Sequence, residues 1–502
     1  MRYLILIHRY LGIGVGVLMV VWCLTGVVMM YVRYPALSPA ERVRHLEPLE
    51  WRDCCVVSES SLADEALVDT FQVESVTSRP VLRVKLAHGG WRMIDLIDGH
   101  LMSGISERQA TDVAATFAQA GDTPPRLQGA IDYDQWTVSG EFNRERPLFR
   151  FALDDAAGTQ LYVSSTTGKL VQLTTARERF WNWAGAIPHW LYFAQLRRNV
   201  ALWSQVVIWT SLAGCFLTLL GIYIGLRQFL RRPTARWSPY RGILFWHHVP
   251  GLIFGLFALT WVASGLVSMN PWGFLDSESQ QPAVTVLAGA PTSGARVKES
   301  LRALASAPLP YGVVSVSPAP LWGQLYLVVT SAGGSRWRVD ARGSPTPLGN
   351  ADRVKIAQTL SGTRKGAAPE LMDQGDSYYY SHGASAAPFP VYRVILGNEQ
   401  KTRYYLDPVT GIPLESLDSN ARWYRWLHQG LHAMDFTPML RMRPGWDLLM
   451  LSLLSGVTVV CVTGAYLGLR RCFRGKMAAE MQDPRVNAKK VTSCNPVFRH
   501  RS

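Results

Sequence analysis

Four stretches of this 502-residue chain contain no Asp, Glu, Lys or Arg: Tyr10–Val32, Ala201–Leu226, Gly242–Met269 and Leu448–Leu469. Each reaches the roughly 20 residues that a helix needs to cross a hydrocarbon core. That constraint sets the fold class: an integral membrane α-helical protein with four transmembrane helices. The intervening chain is too long and too regularly patterned to be simple loop. The expected order is a first span within 1–32, an exported module over 33–200, a second span over 201–228 and a linker over 229–243. A third span follows over 244–270, then a second exported module over 271–445, a fourth span over 446–470 and a basic tail over 471–502.

Charge orients this arrangement. Arg2 and Arg9 at the N-terminus, the segment Arg227–Arg241 and the tail from Arg470 together carry the whole net charge of +14. Basic residues gather on the cytoplasmic side of a membrane protein. Both termini and the linker are therefore expected in the cytoplasm of a bacterial inner-membrane protein, and the two long connections outside it. The basic balance reads as topology, and nucleic acid is not an expected partner; the lipid bilayer is. No small-residue cleavage site follows the first apolar run, which reads as an uncleaved anchor. Cys54 and Cys55 are adjacent, with no framework of spaced pairs, and no Cys-x-x-Cys-His occurs for covalent haem attachment.

The chain also resembles itself. An offset of 239 residues pairs His8, Gly12, Gly16, Trp22 and Gly26 with His247, Gly251, Gly255, Trp261 and Gly265. An offset of 243 pairs Pro147, Arg150, Gly168, Trp183, His189, Phe193 and Arg198 with Pro390, Arg393, Gly411, Trp426, His432, Phe436 and Arg441. Each half reads as helix, α+β module, histidine-bearing connection, helix, and repeats of this kind precede any fold assignment. Both halves have the same orientation, so a pseudo-twofold axis is expected along the membrane normal. Within the first module, Pro80–Leu86 and Trp91–Leu96 alternate as a hairpin, Ser106–Ala120 has helical spacing, and Leu148–Leu153 with Thr159–Ser164 reads as a second hairpin.

Histidines at membrane depth are costly and suggest function. His8 and His247 fall at the cytoplasmic mouth, His189 and His432 at the exported one, and the pseudo-twofold would make each pair face. Two facing neutral imidazoles suit the axial positions of a haem iron. The expected cofactors are two b-type haems with bis-histidine ligation. Gly12 and Gly16 lie on the His8 face and leave space for a flat ring, although glycines four apart also serve close helix packing. His248 and His428 lack a counterpart histidine and stand as alternate ligands. Zinc would want three or four converging ligands, which a two-by-two distribution suits poorly. Arg9, Arg198, Arg241 and Arg441 could pair with haem propionates. No serine–histidine–acid arrangement, phosphate loop or dinucleotide fingerprint is present, so an electron donor would be a separate cytoplasmic or quinone molecule.

His8-Arg-Tyr-Leu-Gly12, His247-His-Val-Pro-Gly-Leu252, Ser268-Met-Asn-Pro-Trp-Gly273 and His428-Gln-Gly-Leu-His-Ala-Met-Asp-Phe436 resemble the PepSY-associated transmembrane proteins of bacterial inner membranes. The likeness covers about residues 1–475, and Tyr404-Tyr-Leu-Asp-Pro-Val-Thr-Gly411 is similar to segments of PepSY domains. The resemblance implies a di-haem ferric-siderophore reductase, with His8, His189, His247 and His432 as iron ligands and a periplasmic ferric chelate as substrate. A solute permease, and a membrane anchor whose modules bind or inhibit periplasmic partners, are the alternatives.

Overall fold

The computed structural model describes residues 1–481 apart from 52–53, 120–123, 232–236, 278–279, 311, 363–367 and 382–386. Four helices are long and apolar enough to cross a membrane: Arg2–Met29, Val200–Leu230, Ile243–Ser268 and Gly445–Arg471. The fourth continues unbroken to Met481. The tail expected from 471 therefore starts as helix, and only 482–502 lie outside the described residues.

The four helices form a ring in chain order, the fourth closing against the first. Leu217, Ala258, Trp261, Val457 and Cys461 fill its centre. Glycine sets the spacing at two seams. A Cβ on Gly225 would meet Leu252 Cδ2 at 3.2 Å, and one on Gly468 would meet Ile13 Cγ1 at 2.8 Å. These glycines serve close helix approach, as small residues do where helices meet in lipid.

The long connections are not independent. Strands Leu67–Val76, Arg79–Leu86, Trp91–Asp95 and Leu101–Met102 run as an antiparallel series. The edge strand Leu67–Val76 then pairs antiparallel with Val313–Pro318, which continues into Tyr326–Ser331 and Arg336–Asp340. One sheet thus spans both connections. Its central pair is Val73 opposite Val316; these residues are 243 apart, the offset that also relates His189 to His432. Gln72 Nε2 donates to Ser315 Oγ across the same join at 3.4 Å. Beneath the sheet, Val297, Leu301 and Leu304 of helix Gly294–Ser306 pack with Phe71, Leu82 and Ile94 in one shared core. Fully buried aliphatic side chains stabilise by about 1.5–3 kcal/mol each, so this core ties the two connections into one body.

Two four-stranded sheets flank it. Arg126–Ile131, Leu148–Ala152, Gln160–Ser164 and Leu170–Thr174 form one, and Glu370–Met372, Val391–Ile395, Arg403–Leu406 and Pro413–Leu417 the other. The expected helix is present as Glu107–Ala118, started by a capping box between Ser106 and Gln109. Cys54 and Cys55 are bonded to each other, a pairing that the absence of spaced cysteine pairs did not signal.

Each flanking sheet feeds a short helix that turns the chain toward the bundle. Thr175 and Glu178 form a capping box ahead of Ala176–Ala184. Asp418 accepts from Ala421 N ahead of Ser419–Tyr424. Side-chain caps of this kind supply the partners that the first backbone N–H groups of a helix lack.

Candidate cofactor site between the spanning helices

His189 sits on the short helix Ala186–Trp190, and His432 on Leu431–Ala433 after a π-helical turn over Arg425–Gly430. Both helices stop at a left-handed residue that is not glycine, Leu191 at φ 54° and Met434 at φ 53°. Side chains rarely accept that conformation, and residues held in it cluster at functional sites. The turn folds the chain back immediately after each histidine.

Hydrogen bonding fixes how these rings present themselves. Thr25 Oγ1 donates to Val21 O at 2.7 Å, so toward His189 Nδ1, 2.9 Å away, it can only accept. Ser264 repeats the arrangement, donating to Trp261 O at 3.0 Å and standing 2.9 Å from His432 Nδ1. Each imidazole therefore carries its proton on Nδ1 and has a free lone pair on Nε2. Their ring centres lie 6.1 Å apart.

His8 and His247 face each other at the opposite end of the bundle, ring centres 6.2 Å apart. His247 Nδ1 donates to Val460 O at 3.1 Å. His8 Nδ1 turns toward the Leu217 carbonyl without closing a full hydrogen bond. Glycine again makes the geometry possible. A Cβ on Gly221 would meet His8 Cε1 at 2.7 Å, and one on Gly464 would meet His247 Cε1 at 2.8 Å. These two glycines seat the imidazoles against the neighbouring helix backbone.

The arrangement fits a bis-histidine iron. Two imidazoles bound through metal–nitrogen bonds of about 2 Å place their ring centres roughly 6 Å apart, as in both pairs. Histidines that bind metals usually donate the other ring nitrogen to a protein oxygen, which fixes tautomer and orientation. Interior room is also present. Gly16 is buried, yet a Cβ there would find nothing within 4 Å. The indole N–H groups of Trp22 and Trp261 are buried without partners. The other expected glycines are tighter: a Cβ on Gly12 would lie 3.7 Å from Leu217, and one on Gly255 3.1 Å from Ile222. Open space beside the His8 face thus centres on Gly16. Among the described residues no group of three or more His, Cys, Asp and Glu is placed to hold a bare metal ion.

The two extra histidines separate. His248 spends both nitrogens, on Ser238 Oγ and Gly225 O at 2.9 Å each, and so has no lone pair to give. His428 donates Nδ1 to Ser264 O at 3.1 Å and lies 5.5 Å from the His432 ring. One serine thereby orients both histidines, and His428 keeps Nε2 free. Arg441 is held by Asp435 and lies over the Tyr380 ring.

The family model for the PepSY-associated TM region matches residues 5–471, which take in most of all four helices and the six histidines named above. The chain belongs to this family. No curated protein matches the chain. In this member of the PepSY-associated TM family, Thr25 and Ser264 are the site residues that reading the sequence for ligands overlooked. Their signal was present: each precedes a glycine at matching places in the two spans, Thr25-Gly26 and Ser264-Gly265.

Proposed function

We propose that this PepSY-associated TM protein is a bacterial inner-membrane electron-transfer protein that reduces a ferric chelate, such as a ferric siderophore, on the periplasmic side. His8 with His247 would hold one b-type haem near the cytoplasmic face, and His189 with His432 a second near the periplasmic face. The observation that carries the reading is the pair of facing imidazole couples at ligand spacing, with Nε2 free on His189, His247 and His432. The distribution of arginine supports the orientation, with the sheets outside and both termini inside.

A bound haem supplies one-electron chemistry at a potential tuned by its ligands and surroundings. The chain's own residues do the rest. Thr25 and Ser264 hold the tautomer that leaves Nε2 free. Gly221 and Gly464 admit the imidazoles. His8 and Thr25 lie 17 residues apart on one helix, which sets the two pairs about 25 Å apart along the axis at 1.5 Å per residue. Leu217, Ala258 and Val457 pack between them, and the donor would be a cytoplasmic or quinone molecule.

Proteoliposomes test this directly. With reductant trapped inside and a ferric chelate plus a ferrous-iron indicator outside, the protein should produce colour. His189→Ala and His432→Ala should fall to the protein-free background. Colour formation that persists in both variants would overturn the proposal.

A further inference from the structure

The two halves differ where each histidine-bearing stretch meets its four-stranded sheet, and the difference is one of charge. In the second half, Asp376 accepts from Arg393 at 2.8 Å, and Asp435 pairs with Arg425 at 3.3 Å and with Arg441. The position 243 residues before Asp435 is Tyr192, whereas Asp376 has a counterpart in Asp134, engaged by the matching Arg150 and Tyr162. The acid at the Asp435 position is absent there, but the arginines are not. Arg198 matches Arg441, and Arg146 and Arg197 stand beside it.

These arginines lie on aromatic faces instead of carboxylates. Tyr133 is sandwiched between the guanidinium groups of Arg146 at 4.7 Å and Arg198 at 5.0 Å. Arg197 lies 5.3 Å from the Tyr192 ring. Among the described residues neither Arg197 nor Arg198 forms an ion pair. Arg197 Nε and Nη1 and Arg146 Nε are buried without a hydrogen-bond partner. The nearby Asp134 is engaged by Arg150 at 3.6 Å and by the Tyr162 hydroxyl at 2.9 Å. Gln135 binds the loop together, donating to Tyr192 O at 2.6 Å and accepting from Ala194 N at 3.0 Å. Trp190, the residue after His189, packs 5.2 Å from Tyr192. This surface patch therefore begins at the residue next to His189.

We propose that this patch binds the substrate, and that the substrate is a multiply charged anionic ferric chelate with flat aromatic faces, of the tris-catecholate class. The inference rests on the reductase reading for its purpose, while binding itself needs no electron transfer. Guanidinium groups without a carboxylate partner, such as those of Arg197 and the exposed Arg198, gain short, charge-assisted bonds from an anion. The rings of Tyr133, Tyr192 and Trp190 offer stacking faces that favour a planar ligand. A neutral trihydroxamate chelate gains neither effect in full. The second half has Phe389 and Leu440 at the places of Arg146 and Arg197, so it lacks this excess of positive charge and would not compete.

A redox-inert probe separates binding from reduction. The gallium(III) tris-catecholate complex should quench tryptophan fluorescence of the full-length protein in nanodiscs of zwitterionic lipid. Arg197→Gln and Arg198→Gln should each weaken binding about tenfold, the scale of one lost charge-assisted bond. Tyr192→Asp, which imports the second half's carboxylate, should weaken it at least as much. Arg108→Gln, on the exposed face of Glu107–Ala118, should change nothing, and all variants should melt with the wild type. A neutral gallium trihydroxamate should bind wild type about tenfold more weakly. The proposal is overturned if wild type binds no anionic chelate, if the Arg197→Gln/Arg198→Gln double variant binds as wild type does, or if the neutral chelate binds equally well. It is also overturned if anionic lipid in the nanodisc displaces the chelate and the arginine variants lose retained lipid alone, since the patch would then serve headgroup phosphate. Chelate binding by a protein without haem would sink the reductase reading and leave this one standing.

Discussion

A hydroxyl one turn inside the membrane determines which nitrogen a histidine offers. Thr25 and Ser264 each spend their own proton on the helix backbone and so force Nδ1–H on His189 and His432. Thr25→Val and Ser264→Ala remove that control while leaving the ligand in place. Second-shell losses of this type cost about 10- to 100-fold in affinity; each variant should release haem faster by that order, measured by transfer to apomyoglobin. Release at the wild-type rate in both would contradict the tautomer argument. Gly464→Ala acts by volume, because its Cβ would press on His247 Cε1 at 2.8 Å. It should deplete the His8–His247 site and spare the other, read as loss of one of two steps in a redox titration. A residue in the sheets gives a pH-dependent case. Burial, and then Asp376, raise Glu415 from 4.5 to about 6. The folded state then binds this proton more tightly than the unfolded chain, so stability is lost as pH rises from 4.5 to about 6. Glu415→Gln should raise Tm at pH 7 by on the order of 2 °C and leave it unchanged near pH 4. An equal gain at both pH values would show that ionisation is not the cause.

At the scale of elements, the spanning helices were legible because lipid demands long uncharged runs, and composition alone marks them. The hairpins over Arg79–Asp95 and Leu148–Ser164 were legible from alternation. The join between Val73 and Val316 was not, since nothing in either strand's pattern names its partner. What the offset supplied was a candidate: residues 243 apart that could meet on an axis. The histidine pairs were legible for the same reason, whereas the separate roles of the glycines were not. Gly225 and Gly468 close helix seams, Gly221 and Gly464 seat imidazoles, and only Gly16 keeps the open space expected of a bare face. Left-handed Leu191 and Met434 carry no sequence signal at all. The sheet join is testable by chemistry. Residues directly opposite in an antiparallel pair have Cα atoms about 4.5–5.5 Å apart, within disulfide reach. A Val73→Cys/Val316→Cys variant should cross-link on mild oxidation, so that cleavage in the linker leaves one band until reductant is added. Two bands without reductant would place the strands elsewhere.

In the whole molecule, a ring of four helices carries two histidine pairs beside a sheet built from both halves of the chain. Symmetry places the pairs, and the departures from symmetry at Arg146, Tyr192 and Arg197 place the open positive charge. The central claim is that His8, His189, His247 and His432 hold two haems and that His248, with both nitrogens engaged, does not. The most direct measurement is haem per chain in protein purified from haem-replete cells, for wild type and single alanine variants. The account predicts two haems in wild type and in His248→Ala, and the loss of one haem in each of His8→Ala, His189→Ala, His247→Ala and His432→Ala. A wild-type protein without haem, or four variants that keep the wild-type content, would contradict it.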